Sequence, residues 1–425
     1  ETNPAMNSTV NETTESENRG VVTARSFKRP AIAITIALVA VLISCAVILH
    51  NWMYNSAPER SDDTAASVPK PWGQLEYTPL TIAPPLEFVR DPLINKFPED
   101  VFWRFPKIAP ARLPAHLKSI GLSAPFSEKL MTMARPDKAV RGSRIDPSRQ
   151  FVLDVPLKDR TALYIALLTD PSNAYQRRQF QFRGSSPDEW FAASGVSPAT
   201  RKLVEPLIYR RGNFMYFSDY RSIGDSISPA ERSNLLKTLH RDATFLAHLK
   251  ISRDSDIEAL VRYWGRGGRA NEVRPILEAM AQKGGEQSIN ITHLLPALAR
   301  RKLYTYPGQS DLEKRTRPRD CHWTSMNFFN EEPDDSFCEG RKVVAAKMRD
   351  YYRVGGNLKL GDIVTVLTSR LTAVHSAVYI ADDIIFHRCG PGPSAPWALA
   401  RRKDIEAYYP SHAKYQIRYY RHKKM

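Results

Sequence analysis

Residues Ala31 to Leu49 read AIAITIALVAVLISCAVIL, nineteen residues without a charged side chain. As a helix rising about 1.5 Å per residue, this run nearly matches a hydrocarbon layer of roughly 30 Å. A buried core helix is the competing reading, but such a helix rarely stays apolar around its whole circumference. A signal peptide would end in a small-residue cleavage pattern, whereas this run continues into His50, Asn51 and Trp52. The expectation is an uncleaved, single transmembrane helix over 31–49. Arg19, Arg25, Lys28 and Arg29 precede it, and Arg60 alone follows within a comparable distance. Basic flanks stay on the cytoplasmic side, so a polar tail over 1–30 is inside and the rest is extracytoplasmic.

Composition narrows the remainder. The 425 residues are 42% hydrophobic and 25% charged, which fits a chain that buries real cores and excludes both wholesale disorder and a polytopic membrane protein. Lys and Arg number 61 against 45 Asp and Glu, a net charge of +16. Such a surface favours an anionic partner: nucleic acid, anionic lipid or an acidic envelope polymer. Cys45 lies in the apolar run, leaving Cys321, Cys338 and Cys389 in an oxidising space. If two of these pair, one thiol is left over. No Cys-x-x-Cys or His-x-x-x-His pair is present to suggest a metal, and no cofactor is expected.

Residues 50–114 are dense in proline, with Pro58, Pro69, Pro71, Pro79, Pro84, Pro85, Pro92 and Pro98. They read as a stand-off linker, with Trp72, Phe88 and the Phe102–Trp103 pair as docking points. The run Thr161–Leu168 fits either a short helix or a buried strand. Residues 115–301 are expected to be mostly helical. Ser186-Pro187-Asp188-Glu189, Ser228-Pro229-Ala230-Glu231 and Ser255-Asp256-Ile257-Glu258 read as capping boxes. After the second, Leu235, Leu236, Leu239, Ala243 and Leu246 hold one apolar face; after the third, Ile257, Leu260, Val261 and Trp264 do. The stretch Glu189–Arg211 resembles a helix-turn-helix DNA reader with Gly195 at the turn. Pro206 interrupts its second helix and the expected topology puts it outside the cell, so no nucleic-acid partner is expected.

The last third changes character. Asp320-Cys321-His322-Trp323 runs into an apolar helix, and a thiol at a helix start feels the positive end of the macrodipole. Gly361-Asp362 is a turn leading into the β-branched run Ile363–Leu367. Val374–Ala381 is a second strand with His375 at its start, and Asp382-Asp383 turns into a third that carries His387. A cysteine on a helix facing histidines on a sheet suits nucleophilic catalysis, in which imidazole takes the thiol proton. Taken singly, Cys321 also fits a structural thiol, and His375 or His387 a core or solvated histidine.

In order and spacing these residues resemble the NlpC/P60 cysteine peptidases, which have a papain-like core and act on bacterial cell-wall peptides. Asp320-Cys321, Gly361-Asp362 and His375 with Tyr379-Ile380 match the family's motifs, and His387 stands where its orienting polar residue falls. Tyr304-x-Tyr306-Pro307-Gly308 is similar to the family's Tyr-x-aromatic-Gly-Gly. The match covers residues 300–420. His322-Trp323 replaces a small Ser-Gly pair, Pro307 replaces a glycine, and a basic insert (314–319) precedes Cys321.

The resemblance implies an α+β organisation in which a papain-like hydrolase domain over 302–425 follows the helical module. It implies catalysis by Cys321, His375 and His387, with substrate contacts from Tyr304 and Trp323. The expected function is membrane-anchored cysteine hydrolysis of peptidoglycan stem peptides on the outer side of a bacterial cell membrane. An inactive envelope scaffold on the same fold, binding partners through the helical module, is the alternative.

Overall fold

The computed structural model describes residues 70–89, 101–177, 179–308, 317–388, 390, 392–408 and 415–425. The apolar run 31–49, the polar tail, Cys45 and Cys389 lie outside the described residues. Among the described residues no helix is long and apolar enough to cross a membrane.

The first element overturns the linker reading. Strand β1 (Gln74–Ile82) turns Leu75 and Tyr77 toward the core. Pro79 lacks an N–H to donate, which is tolerated because β1 is an edge strand. Trp72, Leu75 and Tyr77 pack against the same core, and the Trp264 indole donates to the Trp72 carbonyl at 3.1 Å. Next, β2 (Trp103–Phe105) joins β3 (Ala134–Asp137) and β4 (Gly142–Ile145) in a three-stranded sheet. Trp103 is wholly buried there, while Phe102 lies under the guanidinium groups of Arg104 and Arg144. The described prolines of this segment therefore punctuate short elements that pack into cores shared with the rest of the chain.

The middle of the chain is mixed, not all-helical. Thr161 to Leu167 belongs to the helix Leu157–Leu167. Strands β5 (Phe180–Arg183), β6 (Tyr209–Arg211) and β7 (Phe214–Phe217) form a second small antiparallel sheet. The helix Pro229–Leu239 buries Leu235, Leu236 and Leu239 and is capped by Ser228 as expected. Ala243 and Leu246 do not continue that face. From Asp242 the period switches to two, with Phe245, Ala247, Leu249 and Ile251 all buried, and β8 (Asp242–Ile251) pairs with β1 over its first nine residues. Short β9 (Gln287–Asn290) completes the sheet β1-β8-β9. The helix-turn-helix look-alike consists of a five-residue and a seven-residue helix, and Arg201 is tied to Asp188 and Glu205.

The C-terminal part carries a six-stranded antiparallel sheet. Its strands are β10 (Tyr351–Val354), β11 (Ile363–Leu367), β12 (Ala373–Ala381), β13 (Ile384–Arg388), β14 (Trp397–Arg401) and β15 (Gln416–His422). They lie in the order β10-β15-β11-β12-β13-β14. Alternation sorts the two faces. Val378, Ile380 and Phe386 share a core with Trp323 and Phe328 from the Cys321 segment, and Ile363 packs with Met326, Val343 and Ala346. Val364, Val366, Ala377, Tyr379 and Ile385 face the other way, onto Ile405.

No domain boundary falls at 301. One hydrophobic cluster contains Leu249, Trp264, Leu298, Trp323 and Val378, and the described residues fall in one compact unit. Hydrogen bonds cross the same line, from the Tyr263 hydroxyl to the Ile380 carbonyl at 2.7 Å and from Thr244 to the Leu399 carbonyl at 2.8 Å.

Candidate active site

Cys321 opens the short helix Cys321–Met326 because Asp320 caps it. One Asp320 carboxylate oxygen accepts the N–H groups of His322 and Trp323, both at 2.9 Å. The cap fixes the thiol at the helix start and against the sheet, where Cys321 is 5% exposed. Burial pushes the thiol up to about 12, and the nearby Asp320 charge adds to the rise. Backbone N–H groups of Ser376, His322 and Cys321 itself act in the opposite direction. The resting side chain is therefore a thiol. The next residue, His322, places its Nδ1 2.8 Å from the hydroxyl of Ser376, the residue that follows His375.

His375 and His387 come together directly. Their strands β12 and β13 are hairpin neighbours, turned at Asp382 in a left-handed conformation (φ 55°). Nδ1 of His387 lies 3.3 Å from Nε2 of His375, with the rings nearly perpendicular. Burial drives His375 well below the ordinary imidazole value, helped by the charges His387 and His322 would carry; it takes His387 down to about 4. Both rings are neutral at pH 7. Either ring can donate in that contact; when it is His375 Nε2–H, the His375 lone pair lies on Nδ1. A base oriented from behind by a second polar ring is what thiol activation requires.

The two histidines also line a cavity of about 370 Å³ between the sheet and the middle of the chain. Its polar walls include Arg183, His240, Asp242 and Asp404, with Arg183 paired to Asp404 at 3.2 Å. Cys321 is not among the described residues lining this space.

Two expected substrate contacts are occupied elsewhere. Trp323 is 0% exposed and its indole N–H donates to Asp335 at 3.0 Å, beneath the Arg319 guanidinium. Its bulk fills the core under the helix where a small residue was expected. Tyr304 donates its hydroxyl to the Phe245 carbonyl at 2.7 Å, so that group anchors the chain to β8. Both are corrections to the substrate-binding assignment.

Sequence reasoning missed a polar chain on the helix side of the sheet. His322 Nδ1 lies 2.8 Å from the Ser376 hydroxyl, and the Lys347 ammonium donates to Thr365 at 2.8 Å and to Ser376 at 3.4 Å. Thr365 and Ser376 are cross-strand partners, so their side chains share a face. A signal was available for Lys347: it stands four residues after Val343, on the stripe the helix Gly340–Asp350 buries. Donor atoms of Asp320, Cys321 and His322 lie within 4.8 Å of one another. One Asp320 carboxylate oxygen of this trio is already engaged by two backbone N–H groups. Comparison with protein-family models, with curated proteins and with solved structures finds no match.

Proposed function

We propose that this chain is a thiol-dependent amide hydrolase with Cys321 as nucleophile, His375 as general base and His387 as the group orienting that base. One observation carries the reading: Cys321 opens a capped helix whose next residue, His322, lies 2.8 Å from the hydroxyl of Ser376, the neighbour of His375, whose ring in turn contacts His387. In the first step the thiol proton moves to His375 Nδ1 as the sulfur lone pair forms a C–S bond to the substrate carbonyl. The helix-start N–H at Cys321 helps hold the resulting oxyanion. Collapse breaks the C–N bond, and His375 returns its proton to the leaving amine. Water then attacks the thioester, giving a carboxylate and the free thiol.

The substrate class rests on the NlpC/P60 resemblance and on charge. Peptidoglycan stem peptides carry carboxylates, which suit a chain of net charge +16. The apolar run 31–49 would tether the hydrolase to a bacterial cell membrane, facing outward. A second reading, a retired hydrolase fold serving as an envelope scaffold, is favoured by the burial of the thiol. Acid-quenching the full-length chain during turnover of a stem peptide separates the two. A hydrolase carries the acyl group on Cys321, located by mass spectrometry; a scaffold carries none under any condition.

A further inference from the structure

We propose that the cavity walled in part by His375 and His387 is a binding site for a small zwitterion of α-amino-acid chemistry, its ammonium received by Asp242 and its carboxylate by Arg177. The proposal goes beyond the hydrolase reading, and its test needs neither Cys321 nor cleavage.

The cavity has the size and lining of a small-molecule site. Its volume of about 370 Å³ falls within the usual range of roughly 300–1,000 Å³. Phe180, Phe214, Leu399 and Ile405 give it apolar walls. Among the described residues five charged side chains line it: Arg177, Arg183, Arg241, Asp242 and Asp404. Three of them are spent on each other or on the backbone. Arg183 pairs with Asp404 at 3.2 Å and donates to the Ala243 carbonyl at 3.3 Å. Arg241 gives its guanidinium to the carbonyls of Trp190, Ala192 and Ala193.

The other two are not. No described side chain bonds or pairs with the Asp242 carboxyl. Burial raises that group to about 6, against the pull of the Arg183 charge and the Ala243 N–H, so it is largely ionised at pH 7. A sheltered carboxylate without a cation is costly. Its neighbour His240 places Nδ1 2.9 Å from the Leu236 carbonyl, which can only accept, so the proton sits on Nδ1 while burial favours the neutral ring. The Nε2 lone pair is then a second acceptor on a ring that lines the cavity. Two acceptors call for a donor-rich cation, and an ammonium is one. Arg177, exposed at the end of the short helix Ala174–Arg177, supplies the opposite charge, and no described group bonds its guanidinium. A carboxylate is the partner a guanidinium takes in bidentate fashion. A simple cation would leave Arg177 unanswered and a simple anion would leave Asp242 so; one molecule bearing both charges answers both. Cys321 is not among the described lining residues, so this ligand lies against the histidine pair and not at the thiol.

The test is calorimetric titration of the full-length chain at pH 7.5 and fixed ionic strength, with leucine as the probe because the walls are apolar. N-acetylleucine, which lacks the ammonium, and isoamylamine, which lacks the carboxylate, are the comparisons. Leucine is expected to bind saturably, and each comparison compound at least about tenfold more weakly. Asp242→Asn is expected to weaken leucine by a similar factor. Arg177→Gln is expected to weaken leucine while leaving isoamylamine unchanged. No saturable leucine binding by the folded wild type overturns the proposal, as does equal affinity for N-acetylleucine or leucine binding that survives Asp242→Asn intact. If Asp242→Asn does not fold, Arg177→Gln decides from its exposed position, since unchanged leucine affinity there also overturns it. Leucine binding that follows this pattern in a chain that cleaves no stem peptide supports the site while sinking the hydrolase reading.

Discussion

Burial of His375 and His387 determines how the site responds to pH. Both folded-state values are depressed, His387 to about 4, so the fold favours the neutral rings. The sign follows from linkage: this stabilisation is complete above the ordinary imidazole value of about 6.5 and fades as pH falls toward 4. Activity is therefore expected to persist at pH 5.5, where an ordinary histidine base would be largely protonated. A kcat/KM profile whose acid limb has its midpoint near 6.5 would contradict this. His387→Ala removes the orienting ring; kcat is expected to fall about 10- to 100-fold with KM little changed, and His387→Gln to recover part of the loss. Steady-state kinetics on a stem peptide checks both. Much of this geometry was legible in the sequence because it is local: a cap before a cysteine, a histidine at a strand start, a hairpin turn. Ser376 and Lys347 were not legible. Their contacts with each other and with His322 depend on strand pairing and on a helix more than twenty residues downstream of Cys321 in sequence.

Among the elements, β11 to β13 stand where β-branching and turn residues put them, with β11 over Ile363–Leu367. The Gly361-Asp362 turn shows why. Gly361 has φ 93°, and a Cβ there would lie 2.2 Å from the Phe329 ring. Asp362 then accepts the Lys359 N–H at 2.8 Å and holds Arg421 of β15. Gly361→Ala is expected to cost about 1–3 kcal/mol or more, read as a lowered denaturant midpoint. The proline-rich segment and the middle of the chain were read wrongly for a shared reason. Strand β1 gains its meaning from β8, 160 residues away, and a helical face that ends at Leu239 looks continuous until the period changes. Trp103→Ala is accordingly expected to destabilise the fold by about 3–5 kcal/mol, as loss of a fully buried ring does. A linker residue would cost almost nothing, and a chemical melt distinguishes them.

On the scale of the whole molecule, the sheet that carries the histidines is not a detachable domain. It shares its core with β8 and the helices after it, and Arg183 from β5 reaches Asp404 beside the His-lined cavity. The geometry of the candidate site therefore depends on the full described body, and a fragment beginning at residue 115 would leave β8 without β1. The whole chain has 61 basic against 45 acidic residues, a balance that favours anionic partners. Co-sedimentation with purified peptidoglycan is expected to weaken steadily as salt rises and the charges are screened. The central claim is a thiol hydrolase acting on that polymer, and cleavage tests it most directly. The full-length chain and its Cys321→Ala variant are each incubated with purified peptidoglycan, and newly exposed amino groups are measured. New amino termini released by the wild type and abolished in Cys321→Ala are the result this account predicts. Release that survives in Cys321→Ala, or no release by a folded wild type that binds the polymer, would contradict it.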